Sequence, residues 1–525
     1  MANCTASTWT TQPRSIESGH GALLYAGLII LSIVLLTFRP NGLTANVPVV
    51  GRSCSWEPAL VTRFKFFLFS SNIIRDGYLK HKNRAFVVRG IDNDILILSN
   101  KYVNELKNLP TSTLSSMEML TKAMGGRYTG FDTAAKTNIY TRALMFGTNA
   151  HLDKLHTPIK EEVDIALHAL DPVPNHWAVI TDDFDELIRT ITTQVTARVL
   201  VGPDLCRNKQ WKSLSLNFTQ KVFVVAFHLR LMPWILRPLA WVFLLVNPAW
   251  YSVRNDLSNS KRLLRPLIEA HKAAESVGTQ DDSPPTVLEW MVSNARTELE
   301  ANLDTITCLQ TLLIVASTFA LSHTISMIFY DLCDYPQYIQ ELREEAEQCF
   351  KQSGRWDRST LDNMRKIESF MCESQRLNPS MMLTFNRVAL KPITLSDGIL
   401  IPAGTRISMA ARDIMLDPDI IPEAGKFDPW RSLRAREQPN ASMKHRFGTL
   451  SPNVLHFGSG TQACSGRQLA QVVAKMIFVS VLVNWDFRFA EGQQRPQNFS
   501  IDEFIITMPG SRKLEMKRRE HVNYK

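Results

Sequence analysis

The chain has 525 residues, 45% hydrophobic and 21% charged, with a formal net charge of +9. That balance excludes a disordered class and leaves ample material for a core. The basic residues are spread along the chain, which argues against nucleic acid as a partner, and the eight cysteines form no C-x-x-C pair, which argues against a zinc cluster or a disulfide scaffold and for a reducing compartment.

In chain order, Ala22 to Phe38, ALLYAGLIILSIVLLTF, is the first feature: uncharged, apolar and about 25 Å long as a helix, enough for one membrane span. A cleaved signal would have a shorter apolar core and a small-x-small site, whereas Arg39-Pro40-Asn41 follows here. Arg39, Arg52, Arg63 and Lys65 lie after the segment and only Arg14 before it, so the positive-inside rule places residues 1–21 in the lumen and the main body in the cytosol. Asn3-Cys4-Thr5 is then a lumenal glycosylation sequon, used or unused. Residues 39–60, with VPVVG at 47–51, read as a stiff linker, and 61–525 as the body.

Within the body, Arg84 to Leu98 reads as a hairpin around a polar turn at Gly90 to Asp94. Helical spacing dominates residues 159–170, 182–201, 255–275, 286–331, 337–350 and 360–377. The apolar run Leu229 to Trp250 is broken by Arg230, Pro233, Arg237, Pro238 and Pro248, and fits either the membrane surface or buried helices around a proline turn. The loop GTQDDSPPT joins two helices of one domain. The fold class is mainly α with small β-sheets.

Cys464 begins another helical pattern, marked by an apolar stripe of Leu469, Val472, Val473, Met476 and Val483, and Trp485 to Phe489 then alternates like a strand. At a helix N-terminus unpaired N–H groups and the macrodipole favour a thiolate, the form that binds metal or attacks carbon. Glycines 458, 460 and 466 remove bulk beside the sulfur, which would let the backbone pass beneath something large and flat, such as a haem.

Phe457-x-x-Gly460-x-x-x-Cys464-x-Gly466 resembles the haem-binding loop of the cytochromes P450, the haem-thiolate monooxygenases. The resemblance implies that Cys464 is the axial ligand of a haem (heme) iron, with Phe457, Gly460 and Gly466 shaping the loop around it. Gln462 stands where the family commonly has an Arg or His on a haem propionate, so charge pairing is lost there and an amide hydrogen bond is expected instead. Glu373-Ser374-Gln375-Arg376 is in isolation a surface ion pair. By resemblance it is the family's E-x-x-R, with Arg431 of PEAGKFDPWR as third member of a buried triad that fixes the loop. Arg387 and the run SDGILIPAGT (396–405) resemble the short sheet that follows. Arg387 is either a propionate partner or a solvated arginine on a strand edge, and residues 140–170 contain no Trp-x-x-x-Arg pair for another propionate contact.

The pattern from Leu303 to Leu332 is apolar on almost all sides, as a central helix requires. Ala320-Leu321-Ser322-His323-Thr324 in it resembles the family's A-G-x-acid-Thr motif, where the helix is locally distorted around dioxygen. Leu321 replaces the glycine and His323 the acid. His323 and Thr324 are expected to deliver protons, the alternative being a Ser/His/Thr patch satisfied by backbone carbonyls.

The implied protein is an endoplasmic-reticulum monooxygenase with a single-pass anchor in membrane lipid. It would use O2, an apolar small-molecule substrate, and electrons from NADPH through the flavins of a reductase that meets Lys426, Arg434, Lys444, Arg446 or Arg467. KYVNELKNLP (101–110) and Trp211 to Arg237 resemble fungal members that oxidise terpenoids. Two other classes share the cysteine: a non-catalytic haem-thiolate sensor or carrier, and a cysteine hydrolase with His456 as base.

Overall fold

The structure, a computed structural model, describes residues 47–519 except 55, 169–174, 233–235, 237–238, 246, 278–282 and 508–512. The expected anchor, the sequon, most of the linker and part of the 277–285 loop lie outside the described residues.

The body opens with α1 (Ala59–Lys80), which leads into β1 (Phe86–Arg89) and β2 (Asp94–Ile97). These strands form the expected hairpin, with Phe86 opposite Ile97 and Arg89 opposite Asp94. After β3 (Leu114–Ser115) the chain turns helical: α2 (Leu152–His168), α3 (Phe184–Val201), α4 (Lys209–Leu231), α5 (Pro248–Val277), α6 (Leu303–Asp334), α7 (Ile339–Ser353) and α8 (Arg365–Leu377). β4 (Thr384–Ala389) and β5 (Arg406–Met409) complete a five-stranded sheet in the order β1-β2-β5-β4-β3, with β2 and β5 parallel and the other neighbours antiparallel. α9 (Arg467–Asn484) runs directly into β6 (Trp485–Phe489). The chain ends in the hairpin β7 (Asn498–Ile501) and β8 (Phe504–Thr507), and in β9 (Leu514–Arg518), which pairs with β6.

Two predicted helices are broken, one by local polar caps and one at a residue whose following N–H groups are met by Glu345 of α7. The 286–331 pattern divides into Val287–Ser293, Glu298–Ala301 and α6. Each piece has its own N-cap: Thr286 forms a capping box with Glu289, Thr297 accepts from the Glu300 N–H, and Asn302 accepts from those of Asp304 and Thr305. The 360–377 pattern divides at Met364, whose ψ of 71° lies outside the helical region, into Arg358–Asn363 and α8.

One apolar core joins the helices and a second lies around the five-stranded sheet. Phe329 of α6 sits at the centre of the first, edge-on to Phe184, Phe478 and Phe487 at 5.3–5.5 Å, so α3, α9 and β6 all anchor on one ring. α6 and α9 are long and apolar enough to cross a membrane, yet most of each is buried in this core. Val287 and Leu288 share it with Leu264 and Ile268 of α5, so the helices on both sides of the 277–285 loop pack together.

Glu368 of α8 is fully buried and gathers Arg436 at 3.1 Å, Lys475 at 3.2 Å, Arg446 at 3.5 Å, the Gln471 amide at 2.8 Å and the Phe447 N–H at 3.2 Å. Burial alone would raise its pKa, but Lys475, Arg446 and Arg436 outweigh it and hold the carboxyl below its usual range. A depressed folded-state pKa gives stability present above the unfolded value and lost as pH falls through the folded one. Glu368→Gln, which strands three cations, should therefore cost about 3–5 kcal/mol in denaturant melts at pH 7, and the deficit should shrink as both proteins are acidified below about pH 4.

Candidate functional site

The cysteine loop closes on itself through the Cys464 N–H, which donates to the Phe457 carbonyl at 2.9 Å. Gly458 and Gly460 turn it with φ of +70° and +71°, a region that L side chains rarely adopt. At the head of α9 the N–H groups of Gly466 and Arg467 donate to the Cys464 sulfur. Burial raises the thiol's pKa, while these two donors and the Arg467 charge oppose the rise. Buried Cys206 and half-buried Cys372, in contrast, are pushed up to about 12. Cys464 keeps accessible surface at the head of α9, so its sulfur is open to a ligand. Among the described residues no three His, Cys, Asp or Glu side chains assemble as a metal cluster, which leaves this single thiol as the candidate ligand.

α6 packs against α9 and is buried along most of its length, but Ala316 and Ala320 are accessible. Thr324 follows at the same four-residue spacing, so the helix turns a strip of two alanines and a threonine to one side. The helix is unbroken here, unlike the distorted helix that the resemblance implies. Leu321 stands at the glycine position, and the Thr324 hydroxyl donates to the Ala320 carbonyl at 2.9 Å, while Ser322 bonds the Thr318 and Phe319 carbonyls. The backbone-satisfied arrangement thus holds for both hydroxyls. His323 differs: burial lowers its pKa to about 4, its Nε2 has no partner, and its ring faces the Asn378 backbone.

Arg387 is 2% exposed, so it is no solvated edge residue. Its guanidinium lies 3.9 Å from the Phe385 ring centroid and donates to the carbonyls of Leu106 at 2.9 Å, Lys107 at 3.3 Å and Ser459 at 2.7 Å. Among the described residues no carboxylate pairs with it, and burial lowers its pKa to about 10. A buried cation beside the cysteine loop with only neutral partners fits an anionic group such as a haem propionate.

Gln462 departs from its expected role. Its Oε1 accepts from the Ser116 N–H and its Nε2 donates to the Leu114 carbonyl, both at 2.7 Å, so the amide extends β3 and ties the loop to the sheet. Gly460 also serves a different contact from the one expected. A Cβ there would lie 2.1 Å from the Lys107 carbonyl oxygen, so the missing side chain admits a neighbouring strand of backbone. A Cβ on Gly466 would meet only the Cys464 sulfur, at 4.0 Å. Phe457 packs edge-on to Phe447 at 6.0 Å.

Glu373, Arg376 and Arg431 come together. Arg376 forms a two-point pair with Glu373 at 2.7 and 2.9 Å and also donates to the Met415 and Ala424 carbonyls, while Arg431 approaches Glu373 at 3.3 Å and donates to the Pro422 carbonyl. The pair is buried and not a surface pair. His456 is pushed down to about 3 by burial and Arg376, so it is neutral and a poor base for a hydrolase. Arg446, expected on the partner face, is instead consumed by Glu368 and Asp362. The sequence reading missed Asn149, whose side chain donates to the Ser465 carbonyl at 3.1 Å, and the 106–107 carbonyls that brace Arg387. A carbonyl partner leaves no side-chain signature to find.

The family model described as Cytochrome P450 matches residues 133–516. The chain belongs to the cytochrome P450 family. Its relatives include "Cytochrome P450 monooxygenase AN1598" of Emericella nidulans, 32% identical over 97% of this chain and 94% of the relative. "Cytochrome P450 monooxygenase olcJ" of Penicillium canescens is 32% identical over 99% and 97%, and "Ent-kaurene oxidase P450-4" of Gibberella fujikuroi is 31% identical over 90% and 93%. This P450 is thus a haem-thiolate oxidoreductase, a monooxygenase like its fungal relatives of secondary metabolism.

Gly460→Ala should force the loop off Lys107. The variant is expected to lose several degrees of melting temperature and much of its haem retention, whereas Gly466→Ala should fold with wild-type stability. Thermal melts with haem quantified by absorbance check both.

Proposed function

We propose that this P450 inserts one oxygen atom from O2 into an apolar terpenoid-like molecule. The observation that carries the reading is the accessible Cys464 sulfur, held at the head of α9 by two backbone N–H groups. Bound haem supplies the activation of O2 and the transfer of one oxygen atom to a C–H or C=C bond, which an axial thiolate favours. Cys464 would ligate its iron, and Arg387 would meet a propionate. The alanines of α6 leave room for a flat group, and His323 and Thr324 are the proton-handling pair beside it.

Phe223 of α4, Phe319 of α6 and Phe504 of β8 form an aromatic box with centroids 5.4–6.2 Å apart. Such a box excludes water and suits a hydrocarbon body. The name of the ent-kaurene oxidases among the relatives favours a terpenoid. Electrons would come from NADPH through a flavin reductase that meets Lys426, Lys444 and Arg434, which stay exposed on the stretch that leads into the cysteine loop.

The protein would sit on the endoplasmic-reticulum membrane with its body in the cytosol. Besides the candidate anchor at 22–38, large apolar side chains stand exposed on α1 (Val61, Phe64, Leu68, Phe69) and after α4 (Leu239, Trp241, Val242, Leu245). Exposed patches of this kind mark membrane contact. The 229–250 run is therefore read as lying on the membrane surface through these side chains, while Ala240, Leu244 and Trp250 are buried.

Expression with a reductase and apolar terpenoid extracts should yield products heavier by one oxygen. Cys464→Ser should abolish both product and the absorption typical of a thiolate-ligated haem in the reduced carbon monoxide complex; a variant that kept both would overturn the assignment. Thr324→Ala and His323→Ala should leave that absorption intact, lower product per NADPH consumed and raise peroxide. Removal of residues 1–38 should release part of the protein from membranes, the exposed apolar surface holding the rest.

A further inference from the structure

A cleft of about 450 Å³ lies between the head of α9, the short helix Arg358–Asn363 and the start of α2, a volume within the range of small-molecule sites. It adjoins the cysteine loop. Asn149 in its wall donates to the Ser465 carbonyl at 3.1 Å, and Arg467 donates through Nη1 to that of Cys464 at 2.9 Å.

The charges of this cleft do not balance. Arg358, Arg446 and Lys475 line it and, together with Arg436, share three carboxylates, those of Asp153, Asp362 and Glu368. Of the three, only Asp362 belongs to the lining. Arg467 is a fourth cation of the lining, and among the described residues no carboxylate pairs with it and its remaining guanidinium N–H groups meet no protein acceptor. The Glu368 cluster that holds the 436–447 stretch accounts for Lys475 and for one side of Arg446, but it makes no use of Arg467.

The polar atoms are not all satisfied either. Asn149 Oδ1, His156 Nδ1 and Arg446 Nε, each on a residue of this lining, are buried without a hydrogen-bond partner, and His156 is 2% exposed. The amide oxygen can only accept, the guanidinium nitrogen can only donate, and the ring nitrogen can do either. Water would satisfy three such atoms but leave the excess positive charge. An anion without a proton, such as sulfate, would meet the cations but set a second acceptor against Asn149 Oδ1. A group that carries both negative charge and an O–H answers the whole set.

We propose that this cleft binds a phosphate group accompanied by an O–H, carried either on the phosphate itself or on a small molecule esterified to it. Arg467, Arg358 and Arg446 are its anion partners, and Asn149 Oδ1 accepts from the O–H. The site lies outside the proposed oxidation and does not depend on it. Through Arg467 and Asn149 its occupant would grip the loop that carries Cys464.

The test titrates the full-length holoenzyme with inorganic phosphate by calorimetry at pH 7, with ionic strength held constant by chloride. Saturable binding is expected, several-fold tighter than that of sulfate, which has no O–H at this pH. Glycerol 3-phosphate, titrated in parallel, separates the two sources of the group: tighter binding than inorganic phosphate assigns the site to an ester, weaker binding to the free ion, and either supports the proposal. Arg467→Gln and Arg358→Gln should each weaken phosphate about tenfold, and Arg467→Lys should keep much of the affinity. Lys391→Gln, an exposed cation elsewhere on the surface, should leave it unchanged. Asn149→Ala should erase the preference for phosphate over sulfate. More than half of the Arg358 side chain is exposed, so Arg358→Gln reads the site even if Arg467→Gln fails to fold. No saturable heat with phosphate overturns the proposal, as does equal affinity in the wild type and Arg358→Gln. Sulfate bound as tightly as phosphate overturns the assignment of the ligand.

Discussion

Residues 416–459 carry little regular secondary structure, yet they lead directly into the cysteine loop. Backbone without helix or sheet partners must find other donors, and here α8 and its neighbours supply them. Arg376 serves the Met415 and Ala424 carbonyls and Ser369 serves that of Pro429, while Arg431, itself steered by Glu373, serves that of Pro422. Two carboxylates on α8 organise the whole stretch: Glu373 holds its first half, and Glu368 holds the second through Arg436, Arg446 and the Phe447 N–H. Buried ion pairs are poor sources of net stability but costly to break, which suits groups whose task is to fix one geometry.

The cysteine loop inherits that geometry and is then fastened from the sheet side. Gln462 adds two bonds to β3, and Gly460 lets the Lys107 carbonyl approach closely. Arg387 bridges Leu106 and Lys107 to Ser459. The cysteine loop is thus held between α9 and the sheet, and among the described residues the cation bonded to it pairs with no carboxylate. Both features suit a bound group that is flat, metal-centred and anionic at its edge.

α6 combines two faces that differ in polarity. The Ala316–Ala320–Thr324 strip is small, with both alanines accessible, while the His323–Met327–Asp331 face is walled by Asn378 and Arg495. Without the glycine that the resemblance implies, the helix stays regular, and both hydroxyls of the 320–324 motif are spent on backbone carbonyls. The imidazole is the group in this motif left with an unpartnered atom.

Features governed by neighbours in sequence were legible without coordinates. The hairpin at 86–97, the helix that follows Cys464, the switch to β6 and the all-round apolar character of α6 all come from periodicity and turn chemistry, which act over a few residues. The thiol and its glycines could be matched to a family for the same reason, since they occupy one short loop. The break at Asn294–Asn302 escaped because apolar spacing continues across caps that compete with it, and the one at Met364 because its N–H partners come from Glu345 on another helix. What only the tertiary structure decided was partnership at long range. Whether Arg387 was solvated or buried depended on carbonyls as far as 281 residues away, and the role of Gln462 on a strand 346 residues away. A side chain's type names the bonds it can form, but the folded backbone determines which groups come within reach of them.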